Sequence, residues 1–266
     1  MVYTFNMNAL NNKCKSILFL GYDREQTSII NKLEDAGCTV KQLSNNIDAI
    51  SEDYDLVISF GYRFVINQKV LENCSAPVIN LHMSLLPWNR GAHPNFWSFW
   101  DNTPSGVTIH LVNSKIDAGL ILFQAAILLD PEIETFQTSY NKLFTEIENL
   151  FDSNMHKILN LEFNPKPQRG VGTFHYIKDF PMDFTGWDSN IKNEIKRLES
   201  VGFDPSNRLL TIIDEIEKVR SLNNVNWMNL LRIVAVRAPD KLSEIVSNIN
   251  EADEEISQLL KKLNSY

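Results

Sequence analysis

Six short apolar runs recur at residues 16–21, 39–43, 54–60, 78–82, 106–112 and 120–125, and stretches of helical spacing separate most of them. This alternation constrains the fold more than any other feature. Short apolar runs bounded by glycines or polar turns are the pattern of strands buried on both faces. Residues 25–36 carry Ile29, Ile30 and Leu33 and stop before Gly37, which predicts a helix with a glycine just past its end. Strands separated by helices imply crossover connections. The expectation is therefore an α/β fold with a mostly parallel Rossmann-like sheet and crossover helices. Ligands on such sheets sit beyond the carboxyl ends of the strands. Residues 61–66, 82–94 and 113–119 leave strand ends and are predicted to meet at one rim.

A long helix is predicted over 139–159. Residues 164–173 hold two prolines and two glycines and read as a hairpin or loop, followed by an extended stretch at 174–177. From about Ser189 the character changes. Ile191 to Leu198 is charged and helical, and stripes at Leu209, Leu210, Ile212, Ile213 and Ile216, then Ile245, Ile249, Ile256, Leu259, Leu260 and Leu263, have helical spacing. The expected organisation is a loosely ordered lead-in over 1–15, a catalytic α/β domain over 16–184 and a small all-helical appendage over 185–266. The apolar stripes suggest self-association, a homodimer through the tail.

Composition narrows the class. With 266 residues, 44% hydrophobic and 22% charged, the chain reads as an ordinary soluble globular protein able to bury a large core. A formal net charge of −8 weighs against nucleic acid as the main partner. Cys14, Cys38 and Cys74 form neither a disulfide framework nor a zinc signature, so no metal is expected. The polar start lacks the apolar core of a signal peptide, and no apolar run approaches the ~20 residues of a membrane helix. A cytoplasmic enzyme away from membranes is the expectation.

The chemistry concentrates in residues 80–94 and 115–119. Asn80 and His82 are two apart, so they share one face of an extended strand end. An amide and an imidazole side by side can polarise a carbonyl and steady the oxyanion formed when it is attacked. The imidazole can also move a proton. Asp117, in a turn before Gly119, can orient His82 or accept the proton of an attacking amine. Together they form an acyl-transfer constellation without a serine or cysteine nucleophile. His93, His110 and His175 read as structural, and Phe96, Trp97 and Trp100 as core or rim aromatics.

Asn80-x-His82-x-Ser84-x-Leu86-Pro87, then Arg90-Gly91, then Asp117-x-Gly119 after a Gly-Val-Thr strand, resembles the folate-dependent formyltransferases. The resemblance runs from about Ser16 to Asp179. It implies that Asn80, His82 and Asp117 are catalytic and that N10-formyltetrahydrofolate is the co-substrate. It also implies a folate cleft walled by Tyr62, Arg63, Phe64, Val65 and Ile66 on one side and by Val112 and Ile116 on the other.

Within the family, the position after the first strand reads Gly21, Tyr22, Asp23, Arg24, Glu25, with one glycine and two acids. A phosphate there would find few free amides and local repulsion, which disfavours the purine-pathway members. The tail has more acidic than basic residues, and so lacks the footprint a tRNA backbone requires of a methionyl-tRNA formyltransferase. The stretch from Pro87 to Trp97 looks like the nucleotide-sugar N-formyltransferases. That likeness implies a nucleotide-linked amino-deoxy sugar as acceptor, contacts from Trp88, Asn89 and Arg90, and a place in surface-polysaccharide biosynthesis. A methionyl-tRNA formyltransferase variant, or a non-catalytic scaffold whose tail binds a partner, are the alternatives. The character of the tail discriminates the first, and the intact Asn80, His82 and Asp117 argue against the second.

Overall fold

The computed structural model describes residues 15–50, 52–205 and scattered positions between 247 and 261. A six-stranded sheet has the order β2-β1-β3-β4-β6-β7. It comprises β1 (Ser16–Gly21), β2 (Thr39–Leu43), β3 (Leu56–Phe60), β4 (Val78–His82), β6 (Gly106–Leu111) and β7 (Ile121–Ala126). The first four strands pair in parallel, while β6 pairs antiparallel to both β4 and β7. The helices are α1 (Ile29–Asp35), α2 (Gln68–Glu72), α3 (Pro94–Trp100), α4 (Phe136–Leu159) and α5 (Ile191–Ser200). A two-stranded parallel pair joins β5 (Arg90–Gly91) to β8 (Phe174–His175). The expectation of a mostly parallel α/β sheet with crossover helices holds.

Strand alternation sorts the core into two layers. Ile17 and Phe19 of β1, Ile58 and Phe60 of β3, Ile79 and Leu81 of β4 and Val107 and Ile109 of β6 face α1 and α4, where Leu33, Leu143, Ile147 and Phe151 meet them. Leu18, Leu20, Val57 and Val78 face the other way, toward Ile66 and Val70 of the α2 region. Each such fully buried side chain stabilises the fold by about 1.5–3 kcal/mol. The consequence for function lies on β4. Since Ile79 and Leu81 point into the α4 layer, Asn80 and His82 point with Val78 to the α2 side.

Two helix starts differ from the sequence expectation. The helix expected from Glu25 begins at Ile29, because Asp23 Oδ1 accepts from the Glu25 and Gln26 N–H groups and holds a turn there. The helix expected from Ser139 begins at Phe136. Thr135 and Thr138 exchange bonds in a capping box, Thr138 N–H to Thr135 Oγ1 at 3.0 Å and Thr135 N–H to Thr138 Oγ1 at 2.9 Å. Residues 164–173 form a loop, one of the two expected forms, and the extended stretch ends at His175, with a short 3-10 turn at Ile177–Asp179.

The chain divides into two compact units between Leu198 and Glu199. Most of the expected helical tail, with its stripes and proposed homodimer contact, lies outside the described residues. The described positions from Ser247 to Lys261 are helical and exposed. No described helix is long and apolar enough to cross a membrane.

Candidate active site

Asn80, His82 and Asp117 come together, and a fourth residue joins them. Antiparallel pairing sets His110 of β6 directly opposite Asn80 of β4, so both side chains leave the same face of the sheet. Asn80 Nδ2 donates to Asp117 Oδ1 and faces His110 Nε2, each at 3.2 Å. His110 Nδ1 lies 2.8 Å from the Leu111 carbonyl, which can only accept. Nδ1 therefore carries a proton, and Nε2 lies between Asn80 Nδ2 and Asp117 Oδ1, accepting from the amide in the neutral ring and donating to the carboxylate as imidazolium. His110, expected to be merely structural, is thus in direct contact with the cluster. The signal that could have found it is the antiparallel register of β4 and β6, which no single-strand pattern reveals.

Asp117 reaches the cluster by an indirect route. The Val112 N–H bonds to the Val78 carbonyl, at the amino-terminal end of β4. Residues 113–119 therefore leave the sheet at the edge opposite the end of β4, yet meet residues 82–94 as expected, through Asp117. Because β6 is antiparallel, its carboxyl end lies at the opposite edge, and the following loop doubles back over the α2 face. Asp117 adopts φ 47°, and a Cβ on Gly119 would stand 1.6 Å from the Leu111 carbonyl oxygen, so only glycine fits there. Asp117 Oδ2 accepts from the Gly91 N–H at 2.9 Å and lies 3.6 Å from His82 Nδ1, while Oδ1 lies 3.4 Å from His110 Nε2. Burial alone would raise the Asp117 carboxyl. The His82 ring, the His110 ring and the Gly91 N–H outweigh it and hold the group well below the usual carboxylate range.

His82 is buried, with its second ring nitrogen, Nε2, 3.0 Å from the Asn89 carbonyl. Oxygens thus face both nitrogens, and only imidazolium can donate to both at once. The loop that presents Asn89 is braced from below. Thr108 Oγ1 donates to the Ser84 carbonyl at 2.7 Å and accepts from the Leu86 N–H at 3.2 Å, and Gln124 Nε2 donates to the Leu86 carbonyl at 2.7 Å.

The expected acceptor contacts fare differently. Asn89 is fully buried, and its side chain is spent on Thr103 and Thr173 at 2.7 and 3.0 Å, which corrects the expectation that it touches a substrate. It shapes the loop that carries the acceptor for His82. Arg90 donates through Nη2 to the Val171 carbonyl at 2.9 Å and through Nε to the Pro87 carbonyl. Trp88 is half-buried, its carbonyl held by Ser84 Oγ. Phe96 and Trp97 are core residues, as expected.

Of the expected folate walls, Ile66 is buried, and Tyr62 and Val112 pack against the same α2-side layer. Phe64, Val65 and Ile116 remain exposed, and Arg63 is exposed beside them. A separate cavity of about 200 Å³ is lined by Met83, His93, Asn95, Phe136, Tyr140 and Trp187, among others; His93 and Asn95 come from the stretch of residues 87–97, whereas Phe136, Tyr140 and Trp187 were not foreseen beside it. Burial keeps the His93 ring low in pKa and pushes the Tyr140 phenol up, the latter also through its 2.8 Å bond to Tyr22. The cavity lining is therefore uncharged. Among the described residues, no group of three or more His, Cys, Asp or Glu side chains is set to hold a metal ion.

A carboxylate pinned between two imidazoles and an amide, beside a surface of exposed apolar side chains, suits acyl transfer. Comparison with known proteins agrees. The formyl transferase family model matches residues 41–152. The bifunctional polymyxin resistance protein ArnA of Wigglesworthia glossinidia brevipalpis is 31% identical over 149 residues, 54% of this chain but only 23% of that protein's length. The solved structure of the formyltransferase PseJ from Anoxybacillus kamchatkensis superposes with a TM-score of 0.61 at 36% identity, covering 66% of this chain and 96% of PseJ. A sugar N-formyltransferase from a Shewanella species shares the fold at 22% identity and a TM-score of 0.56, over 68% of this chain and 86% of its own. With PseJ matched along nearly its whole length, the chain belongs to the formyltransferase family.

Proposed function

We propose that the protein transfers a formyl group from N10-formyltetrahydrofolate to the amine of a nucleotide-linked amino-deoxy sugar, with Asn80, His82 and Asp117 as the catalytic residues. The observation that carries this reading is the buried cluster in which Asp117 touches Asn80, His82 and, through one of the same oxygens, His110. The substrate class is supported by PseJ, whose structure holds UDP-4,6-dideoxy-4-formamido-L-AltNAc and tetrahydrofolate.

The acceptor amine attacks the formyl carbon, and the bond from that carbon to folate N10 breaks. The nitrogen of the amine loses a proton and folate N10 gains one, so tetrahydrofolate leaves. Charge develops on the formyl oxygen, and the Asn80 amide meets it. The N–H now facing His110 is the one free to do so, because the other is held by a carboxylate, the stronger acceptor. His82, steadied by Asp117 on one side and by the Asn89 carbonyl on the other, moves the proton and offsets the developing charge.

Phe64, Val65 and Ile116 fit a flat, largely apolar ring system, and the residue 61–66 backbone can supply the polar contacts. The uncharged cavity beside Met83 suits the acceptor's sugar or base rather than its phosphates. Glu148 Oε1 accepts from the Ser28 N–H at 2.8 Å and from Thr27 Oγ1 at 2.6 Å. An anion thus already fills the start of α1, the place after the first strand where the purine-pathway members would seat a phosphate.

The test is direct. Purified protein is incubated with N10-formyltetrahydrofolate and a UDP-linked 4-amino-4,6-dideoxy sugar, then with other amino-sugar nucleotides. The expected product is heavier by one formyl group and forms in step with tetrahydrofolate. Absence of formylation across the whole panel, by protein that binds folate, would overturn the substrate class.

A further inference from the structure

We propose that Gln168 is a positioning residue, whose side-chain amide holds the Asp117 turn so that the carboxylate reaches His82 and His110. This rests on the formyl-transfer reading above. Gln168 Nε2 donates to the Asp117 carbonyl at 2.8 Å and to the Gly119 carbonyl at 2.9 Å. Both acceptors lie about fifty residues earlier in the chain, so this is a tertiary clamp and not a local turn. It closes on the tightest part of the site loop. Asp117 sits in the left-handed region, and Gly119 lies so near the Leu111 carbonyl that a Cβ would not fit. A non-glycine residue in that conformation persists only where its surroundings over-determine it.

Two further observations support a dedicated clamp. Lys166 exchanges backbone bonds with Ile121, both 2.8 Å, so the segment is anchored to β7 two residues before Gln168. Gln168 Oε1 is buried and makes no hydrogen bond. Carbonyls only accept, so the amide must turn Nε2 toward the loop, and Oε1 is left where it is by default. A buried acceptor without a partner is rare and costly. Here the donors at the other end of the group explain it.

The clamp acts through Asp117, which faces His82 of β4, His110 of β6, the Asn80 amide and the Gly91 N–H. These contacts keep the carboxyl ionised. Loosening the turn weakens them, so the carboxyl ionises less readily and the acid limb of activity moves to higher pH.

The experiment compares wild type, Gln168→Met, Gln168→Glu and His82→Ala as full chains, with folding checked by circular dichroism. Gln168→Met keeps the side chain's length and removes both donors, and Gln168→Glu faces two carbonyls with a carboxylate. The expected result for Gln168→Met is a kcat lower by about 10- to 100-fold, since a displacement of about 1 Å can cost 10²-fold. The acid limb of its kcat profile moves upward, and the KM for either substrate changes little. Gln168→Glu loses more. If Gln168→Met fails to fold, Gln168→Asn, whose amide stops one methylene short of the carbonyls, carries the same comparison. Wild-type kcat and an unchanged pH profile in a folded Gln168 variant, with His82→Ala inactive, would overturn this inference alone. Near-normal turnover in folded His82→Ala would instead overturn the reading on which it rests.

Discussion

Asp117 Oδ2 lies 3.6 Å from His82 Nδ1 and, through the same oxygen, accepts from the Gly91 N–H. The carboxylate therefore ties the end of β4 to the loop that follows it. This link separates two effects of mutation. Removing His82 takes away the proposed proton-transfer group alone, whereas removing Asp117 also frees the Gly91 N–H and unsettles the loop.

Asn80→Ala, His82→Ala and Asp117→Ala are each expected to cut turnover at least a hundredfold. An oxyanion donor is worth about 10²–10³ and a general acid–base about 10²–10⁴. The double and triple variants should lose far less than the product of the single losses, because the three act as a unit. Steady-state formyl transfer by folded variants checks both expectations. Of the three, Asp117→Ala should show the largest fall in thermal midpoint.

The loop brace predicts a stability effect without a change in chemistry. Thr108 is fully buried, donates to the Ser84 carbonyl and accepts from the Leu86 N–H and Gln124 Nε2. Thr108→Val keeps the shape but takes their partner from the Ser84 carbonyl and the Leu86 N–H, while Gln124 keeps the Leu86 carbonyl. An unmet buried polar group costs about 1–3 kcal/mol, so urea unfolding should show a loss of that order. An unchanged midpoint would mean that Thr108 does not brace the loop.

Glu194 gives a pH-dependent prediction far from the chemistry. It is nearly buried in α5, accepts from Arg197 Nε at 2.8 Å and from the Thr185 N–H at 3.0 Å, and its pKa is held down to about 2, first by Arg197 and then by Thr185. A lowered carboxyl contributes stability that is full above its unfolded value of about 4.3 and is lost as pH falls toward the folded one. Glu194→Gln should therefore cost about 1–3 kcal/mol at pH 7. The gap to wild type should close between about pH 4 and pH 2. Chemical denaturation at a series of pH values measures this directly.

Much of this fold is written in local patterns. Apolar runs placed β1 and β4 to within a residue, because parallel strands buried on both faces have little other choice of composition. Asn80, His82 and Asp117 could be nominated from their types and spacing, and the structure brings the three side chains together. His110 and Gln168 could not. Each earns its place through a contact to a strand or loop remote in sequence, and the β4–β6 register or the path of residues 166–175 must be known first. Asn89 illustrates the opposite case. It sits on the loop beside Trp88 and Arg90, but backbone conformation turns it inward, where Thr103 and Thr173 satisfy it.

The cavity beside Met83 supplies the final prediction, which concerns which substrate each side of the site holds. Its lining of His93, Phe136, Tyr140 and Trp187 is aromatic and uncharged, and Trp187 stays partly exposed. Tyr140 donates to or accepts from Tyr22 at 2.8 Å, and burial favours its neutral phenol. A ring or deoxy-sugar face stacked there would gain mostly from apolar contact. One aromatic pair is worth about 0.5–1.5 kcal/mol beyond its buried area. Trp187→Ala should then raise the acceptor's KM by roughly tenfold, a change of about 1.4 kcal/mol. The KM for N10-formyltetrahydrofolate should hold, because its proposed walls, Phe64, Val65 and Ile116, do not line this cavity. Loss of uniform binding raises KM and leaves kcat nearly intact. Phe64→Ala should give the reverse pattern, a higher KM for the folate and an unchanged one for the acceptor. Steady-state kinetics with each substrate varied in turn reads both, and a rise in folate KM from Trp187→Ala would place the two ligands the other way round.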